Sequence, residues 1–374
     1  MSKKKEKEMA ENKDAVVIER ITKEINKINN KELNLFFYVI DTKGNPSGSL
    51  AYIYEIAYGL KNMGYKVTML YNDEEFVGVG DWLGQEYAEL PHMDASQPGI
   101  SISPSDILFI PEVYSSVMTS TRNLPCHRVA ILESFDRMTE FIPFGATWAD
   151  LGIFDAITTT ESNAQRLKSY FPFINVHVIR PKISNIFTRG EEEKKLIVNV
   201  ITREQSDVNK IVKPFFWQYP SYSWVAFRDL RGINREVFAE ALKESAITIW
   251  ADDTTDFGYV PLEAMKAGSL VIGKVPAVAP EWMIDEGNLS NAGIWVDNFA
   301  TLPSVLASVI RTWTMDGIPD SIQKDADVLV SRYTEGQQLS DVKAVIETMV
   351  NNRKRDFEDT LKELENKIGE KVGE

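Results

Sequence analysis

Runs of apolar residues of strand length alternate with helical segments along this chain, and the alternation starts twice. The first series opens with LNLFFYVI (33 to 40), a turn-rich DTKGNPSGS, a helical LAYIYEIAYGLKNM closed by Gly64, and a second strand, YKVTMLY. A strand, a glycine loop, a helix and another strand in that order make a βαβ unit, which forces a parallel pair. DILFIP (106 to 111), RVAILES (128 to 134), DAITTT (155 to 160) and NVHVIRP (175 to 181) continue as strands, with ESNAQRLKSYF as a helix between the last two. A charged run, RGEEEKK (189 to 195), interrupts the pattern. LIVNVIT (196 to 202), YSWVAFRDL, a helix around NREVFAEALKES and the strand AITIWAD then begin it again. The fold class expected is therefore α/β, with two Rossmann-like domains facing across a cleft and extra helices at both ends. The expected divisions are an extension helix over 1–31, a first Rossmann-like domain over 32–182, a second over 183–320 and terminal helices over 321–374. In such sheets ligands sit beyond the carboxyl ends of the strands.

The extension carries Ile18, Ile21, Ile25 and Ile28 at spacings of three and four, one apolar stripe on a helix. The charged tail from Asp341 carries Val342, Val345, Ile346, Met349, Val350, Phe357, Leu361, Leu364 and Ile368 mostly at helical spacings. Residues 341–350 are expected to pack on their own domain or on the first helix; beyond Phe357 the stripe is thin, and self-association into a homo-oligomer and a frayed solvated end both stay open. At 44% hydrophobic and 26% charged residues the composition is that of a packed globule. No apolar run is long enough for a membrane span, and MSKKKEKEMAENKD lacks the hydrophobic segment of a signal peptide, so a cytoplasmic location is expected. A single cysteine, Cys126, and three scattered histidines, His92, His127 and His177, argue against a disulfide or a zinc site. A net charge of -14 weighs against broad capture of nucleic acid without closing off a local basic patch.

The stretch DDTTDFGYVPLEAMKAGSLVIGKVP (252 to 276) concentrates the chemistry. Pro261 suits the first turn of a helix and Gly268 its end, which predicts a short helix over PLEAMKA directly after the strand AITIWAD. Free N–H groups at that helix start favour a phosphate, and Gly258 lets its oxygens approach the backbone. Glu263, expected in the first turn, cannot bind a phosphate but can accept hydrogen bonds from a ribose diol. Simple complementarity with the helix dipole explains the same glutamate equally well.

DFGYVPLEAMKAGSLVIG resembles the signature of the retaining glycosyltransferases with the GT-B fold, the glycogen-synthase-like and lipopolysaccharide-mannosyltransferase-like group. NPSGSLAYIYEIAYGLKNMGYKVTML is similar to that family's glycine loop, first helix and strand entry, with Tyr65 where histidine is usual. DAITTTESNAQRLKSYF resembles its segment before the interdomain linker, and VNVITREQSDVNK its cationic donor-phosphate segment. The four segments stand in the family's order over roughly residues 33 to 300.

The resemblance implies a nucleoside-diphosphate sugar as donor substrate, of which a UDP-sugar is one form, with no separate cofactor and no metal. It implies that Glu263 holds the ribose and that Phe257, Gly258 and Tyr259 line the sugar and diphosphate. By the same carry-over Arg203 and Lys210 neutralise the departing diphosphate, and Gly48 belongs to the loop that closes on the donor. Two departures stand out. The family's first motif glutamate falls on Thr255, for which the adjacent Asp256, or Asp252 or Asp253 shortly before, could substitute, and no histidine follows RVAILES, where Glu133, Ser134 and Asp136 stand. Glu133 and Asp136 are the candidates for orienting the acceptor, with solvated loop acids as the alternative. The expected activity is sugar transfer to a glycan or another hydroxyl acceptor; a DNA base, as in some phage enzymes of this fold, stays open against the acidic balance. A non-catalytic nucleotide- or glycan-binding protein is the alternative, and a sugar-nucleotide epimerase a more distant third.

Overall fold

The computed structural model describes residues 3–202, 205–252, 257–285 and 287–373. Seven strands build the first sheet: β1 (Asn34–Tyr38), β2 (Lys66–Tyr71), β3 (His92–Asp94), β4 (Ile107–Pro111), β5 (His127–Leu132), β6 (Asp155–Thr158) and β7 (Asn175–Val178). Their order is β3-β2-β1-β4-β5-β6-β7, with every pairing parallel. The short edge strand β3 has no apolar run in the sequence and was not expected there; it is held by main-chain pairing to β2. Around this sheet lie α1 (Lys3–Asn29), α2 (Gly48–Asn62), α3 (Gln85–Ala88), α4 (Ser115–Ser120), α5 (Phe135–Phe141) and α6 (Glu161–Tyr170). Because side chains alternate along a strand, Leu35, Phe37 and Val39 join α2 on one face. Phe36 and Tyr38 join α5 and α6 on the other. Parallel strands covered on both faces read as continuous apolar runs, which is why LNLFFYVI has no polar alternation.

The second sheet contains β8 (Lys195–Ile201), β9 (Ala226–Asp229), β10 (Ser245–Trp250) and β11 (Leu270–Lys274). After a two-stranded hairpin of β12 (Ile284–Asp285) and β13 (Asn288–Leu289), β14 (Ile294–Val296) completes it in the parallel order β14-β11-β10-β8-β9. Its helices are α7 (Gln205–Gln218), α8 (Arg235–Glu244), α9 (Tyr259–Lys266), α10 (Leu302–Asp316) and α11 (Asp320–Val330). Residues of α8, α9 and α11 share one core with Trp250 and Val271, whereas those of α7 and α10 share another with Ile247, Ile249 and Ile272. The two helix sets thus cover opposite faces of the sheet.

The last helix, α12 (Glu335–Gly373), returns to the first domain. Val342, Val345, Ile346, Met349 and Val350 are buried in one core with Ile28 and the apolar residues of α2. Gly59 makes this crossing close: a Cβ there would lie 2.8 Å from Leu339 Cδ2. A two-pronged ion pair fixes the register, with Arg180 Nε donating to Asp341 Oδ2 and Nη2 to Oδ1, both at 2.8 Å. The apolar stripe of residues 342–350 is therefore used inside the chain. α11, grouped with α12 from sequence, instead buries Ala326, Leu329 and Val330 in the second domain.

Candidate donor site between the domains

Gly258 caps the start of α9 at φ 71°, ψ 73°, a left-handed conformation in which a Cβ is strained. The helix begins at Tyr259, two residues earlier than Pro261 suggested, since proline fits any position of a first turn whose N–H groups are unpaired. Glu263 consequently stands in the second turn, not the first, and pairing with the helix dipole loses its force. The loop ahead of the helix is pinned from behind. Phe257 is buried, its ring edge-on to Tyr259 at 4.7 Å and to Tyr333 at 5.3 Å, and its carbonyl accepts the Trp282 indole N–H at 2.5 Å.

The other domain meets this helix start with one of its own. α2 begins at Gly48, and the hydroxyl of Ser47 accepts the Leu50 N–H at 3.3 Å as its cap. Gly48 is needed for proximity: a Cβ there would lie 2.9 Å from Tyr259 Cδ2. Two helix N-termini, from strand ends in two different sheets, therefore converge. Each end presents unpaired N–H groups and a partial positive charge, so the convergence suits an anion with more than one phosphate.

Polar side chains gather beside that point. The hydroxyl of Tyr259 is buried without a hydrogen-bond partner. Burial, then the charge of Glu133, then Tyr52, Glu55 and Glu263, push its ionisation far upward, so it remains a neutral O–H. Glu133, at the end of β5, is buried and donates its backbone N–H to Glu112 Oε2 at 3.4 Å. Tyr52 donates to the Ile179 carbonyl at 2.7 Å. Glu263 is half-buried, and its carboxyl is pushed up to about 7, chiefly by burial, with Arg235 pulling it down and Glu55 pushing it up. At neutral pH this carboxyl exchanges readily between an acceptor-only and a donor form.

The remaining sequence candidates fall elsewhere. Lys210 lies on α7, exposed, with its Nζ 2.6 Å from Asp207 Oδ1. It lines an open groove with Trp217, Phe299 and Pro303, on the sheet face opposite α9. A helical turn explains the difference: the spacing from Arg203 in the sequence cannot tell which way Lys210 projects once α7 has begun. Arg203, Asp253, Thr255 and Asp256 lie outside the described residues. Asp136 is exposed in the first turn of α5.

Two residues at the site were not singled out from sequence. Arg235 opens α8 and resembles any solvated cation at a helix start. Glu55 did carry a signal: it interrupts the apolar run AYIYEIAYG, and a carboxylate on a helix face surrounded by apolar neighbours must find a cation. Arg235 Nη2 lies 3.9 Å from Glu55 Oε1.

No protein-family model matches the chain. A curated alpha-1,6-glucosyltransferase of Actinobacillus pleuropneumoniae serotype 7 is 28% identical over 100 residues, a stretch covering 26% of this chain and 30% of that protein. The match thus spans under a third of the relative's length. Among solved structures, the pneumococcal O-GlcNAc transferase GtfA in complex with UDP and GlcNAc aligns at a TM-score of 0.61 and 7% identity, covering 84% of this chain and 99% of that one. Sucrose-phosphate synthase from Thermosynechococcus elongatus aligns at 0.60 and 10%, over 86% of this chain and 100% of that one. Anabaena HepE in complex with UDP-glucose aligns at 0.57 and 11%, over 84% and 100%. Two parallel sheets, two helix starts meeting between them and alignment over nearly the whole of these structures identify the architecture as the GT-B fold.

Proposed function

We propose that the chain is a glycosyltransferase that moves a hexosyl group from a nucleoside-diphosphate sugar to a hydroxyl acceptor. The observation that carries this reading is the convergence of the α2 and α9 N-termini, with Gly48 in contact range of the Tyr259 ring and Glu263 one turn behind. The diphosphate sits at the two helix ends, and Glu263 accepts hydrogen bonds from the ribose hydroxyls. As the glycosidic bond breaks, negative charge grows on the departing diphosphate, and fixed N–H donors stabilise it more than they stabilise the intact donor. Arg203, which follows β8 in the chain, adds a cation to that charge, so this mechanism requires no metal. Glu133, which follows β5, and the Tyr259 hydroxyl orient the sugar or the acceptor hydroxyl. The retaining outcome belongs to the same proposal and rests on the sequence resemblance.

UDP-bound and UDP-glucose-bound relatives of this fold make uridine donors the first to try. The test is a thermal-shift and calorimetric screen against UDP-, GDP-, ADP- and TDP-sugars, with mass spectrometry for donor hydrolysis. Selective stabilisation with slow hydrolysis supports the transferase. Thr255, standing where the resemblance calls for a glutamate, favours one competing reading, a nucleotide-binding protein without turnover. Tight donor binding with no hydrolysis and no transfer to any glycan would select it.

A further inference from the structure

The charged groups behind the α9 start do not belong to one domain. Glu55 comes from α2 of the first domain, Arg235 from α8 and Glu263 from α9 of the second. The Arg235 guanidinium lies 3.9 Å from Glu55 and is seated over the Phe187 ring at 5.7 Å. Both side chains are largely closed off from water, Arg235 at 17% and Glu55 at 3% exposure. A cation in the first position of a helix is placed against the helix dipole, so the local structure of α8 gives no reason for an arginine there. Its reason is tertiary.

We propose that Arg235 is a positioning residue that couples the donor site to the opposite domain: its guanidinium faces Glu55 of α2 across the domain boundary and acts on the Glu263 carboxyl of α9 through its charge. The proposal rests on the donor-site reading of Glu263 given above. Two carboxylates with one guanidinium leave a net negative charge, and burial raises the proton affinity of both. The neighbours on the other packed elements limit where a proton can reside. Lys182, in the segment between the domains, offsets Glu55 and pairs with Glu335 of α12 at 3.0 Å. Glu335 itself pushes Glu55 the other way. On the cleft side Tyr259 and Tyr52 stay neutral, and Glu133 adds negative charge near both. Lys266, on α9 itself, is turned to the Ile183 carbonyl and the Asn185 side chain, at 2.7 and 2.9 Å.

When a ribose donates its hydroxyls to Glu263, the ionised form of that carboxyl is selected, and the proton leaves or passes to Glu55. Donor binding is then linked to proton release near neutral pH. It is also linked to domain docking, because separating α2 from α8 removes Glu55 from Arg235.

The test uses the full chain, wild type and the variants Arg235→Gln and Glu55→Gln. The Glu263 carboxyl is followed by carbon NMR across pH, assigned by its loss in Glu263→Gln, and UDP affinity is measured over the same range. Arg235→Gln should move the Glu263 midpoint upward and Glu55→Gln should move it downward. UDP binding at pH 7 should weaken by roughly tenfold or more in Arg235→Gln, the scale of one weakened charged hydrogen bond. A residue that only held α8 in place would not move the midpoint in opposite senses in the two variants. An unmoved midpoint in Glu55→Gln overturns the coupling even where Arg235→Gln fails to fold. Opposite midpoint shifts with no UDP binding by wild type overturn the donor reading and the positioning role with it. UDP binding lost in Glu263→Gln but unchanged in Arg235→Gln overturns the positioning role and leaves the donor reading standing.

Discussion

Replacing Glu263 by glutamine should strengthen the free protein and weaken its hold on a donor. The carboxyl has its proton affinity raised from the ordinary 4.5 to about 7. Each tenfold change in proton affinity corresponds to about 1.4 kcal/mol, so full ionisation in the folded state costs about 3 kcal/mol, trimmed to roughly 2 kcal/mol by solvent reaching a half-buried group. The sign follows from linkage. A carboxyl with a raised folded pKa stabilises the fold below its unfolded value, and this contribution is lost as pH rises from about 4.5 to about 7. Glutamine is neutral throughout. Glu263→Gln should therefore match wild type near pH 4.5 and exceed it at pH 8 by roughly 2 kcal/mol, read from denaturant midpoints at unchanged slope. The same substitution removes a charged acceptor from the ribose, and UDP should bind more weakly by about 1.5–3 kcal/mol, or roughly 10- to 150-fold, in calorimetry at pH 8. A variant that is less stable than wild type at pH 8 would refute the burial argument. Unchanged UDP affinity would refute the ribose contact.

Gly48→Ala would place a methyl 2.9 Å from the Tyr259 ring, so the two helix starts must part; donor turnover should fall steeply while the melting transition of the free protein moves little. Tyr259→Phe removes a buried hydroxyl without a partner, which should leave the free protein as stable or up to about 1–3 kcal/mol more stable while lowering kcat/KM. Ile346→Ala opens a cavity where α12 meets the first domain and should cost about 2–5 kcal/mol in chemical denaturation. Asp341→Asn should cost about 1–2 kcal/mol at pH 7. Burial opposes the Asp341 charge, but hydrogen bonds from Arg180 and Gln337 outweigh it and hold the carboxyl below its ordinary 3.8. That contribution is present above pH 3.8 and lost as pH falls further, so the gap between variant and wild type should close in acid.

The sheets were legible because burial on both faces leaves a direct mark. LNLFFYVI, DILFIP and LIVNVIT are apolar without alternation, and each became a central parallel strand within a residue or two of its expected ends. β3 was not legible, because HMD at a sheet edge buries little and is held by main-chain pairing to β2 and by the contacts of His92 with Tyr54 and Phe76, residues far off in the chain. At α9, Gly258 and Pro261 marked a helix start correctly, yet proline tolerates any first-turn position, and the two-residue difference moved Glu263 from the first turn to the second.

The order of strands and helices, the parallel sheets and the helix start at GYVP follow from periodicity and from the backbone needs of glycine and proline. These are properties of one element and its immediate neighbours. The approach of Gly48 to Tyr259 and the placing of Arg235 beside Glu55 of the other domain were decided only by tertiary structure. So was the return of α12 to the first domain. Each joins residues far apart in the chain, on faces whose partners depend on how one sheet is placed against another. A hydrophobic period records that a face will be buried; it carries no record of what will cover it.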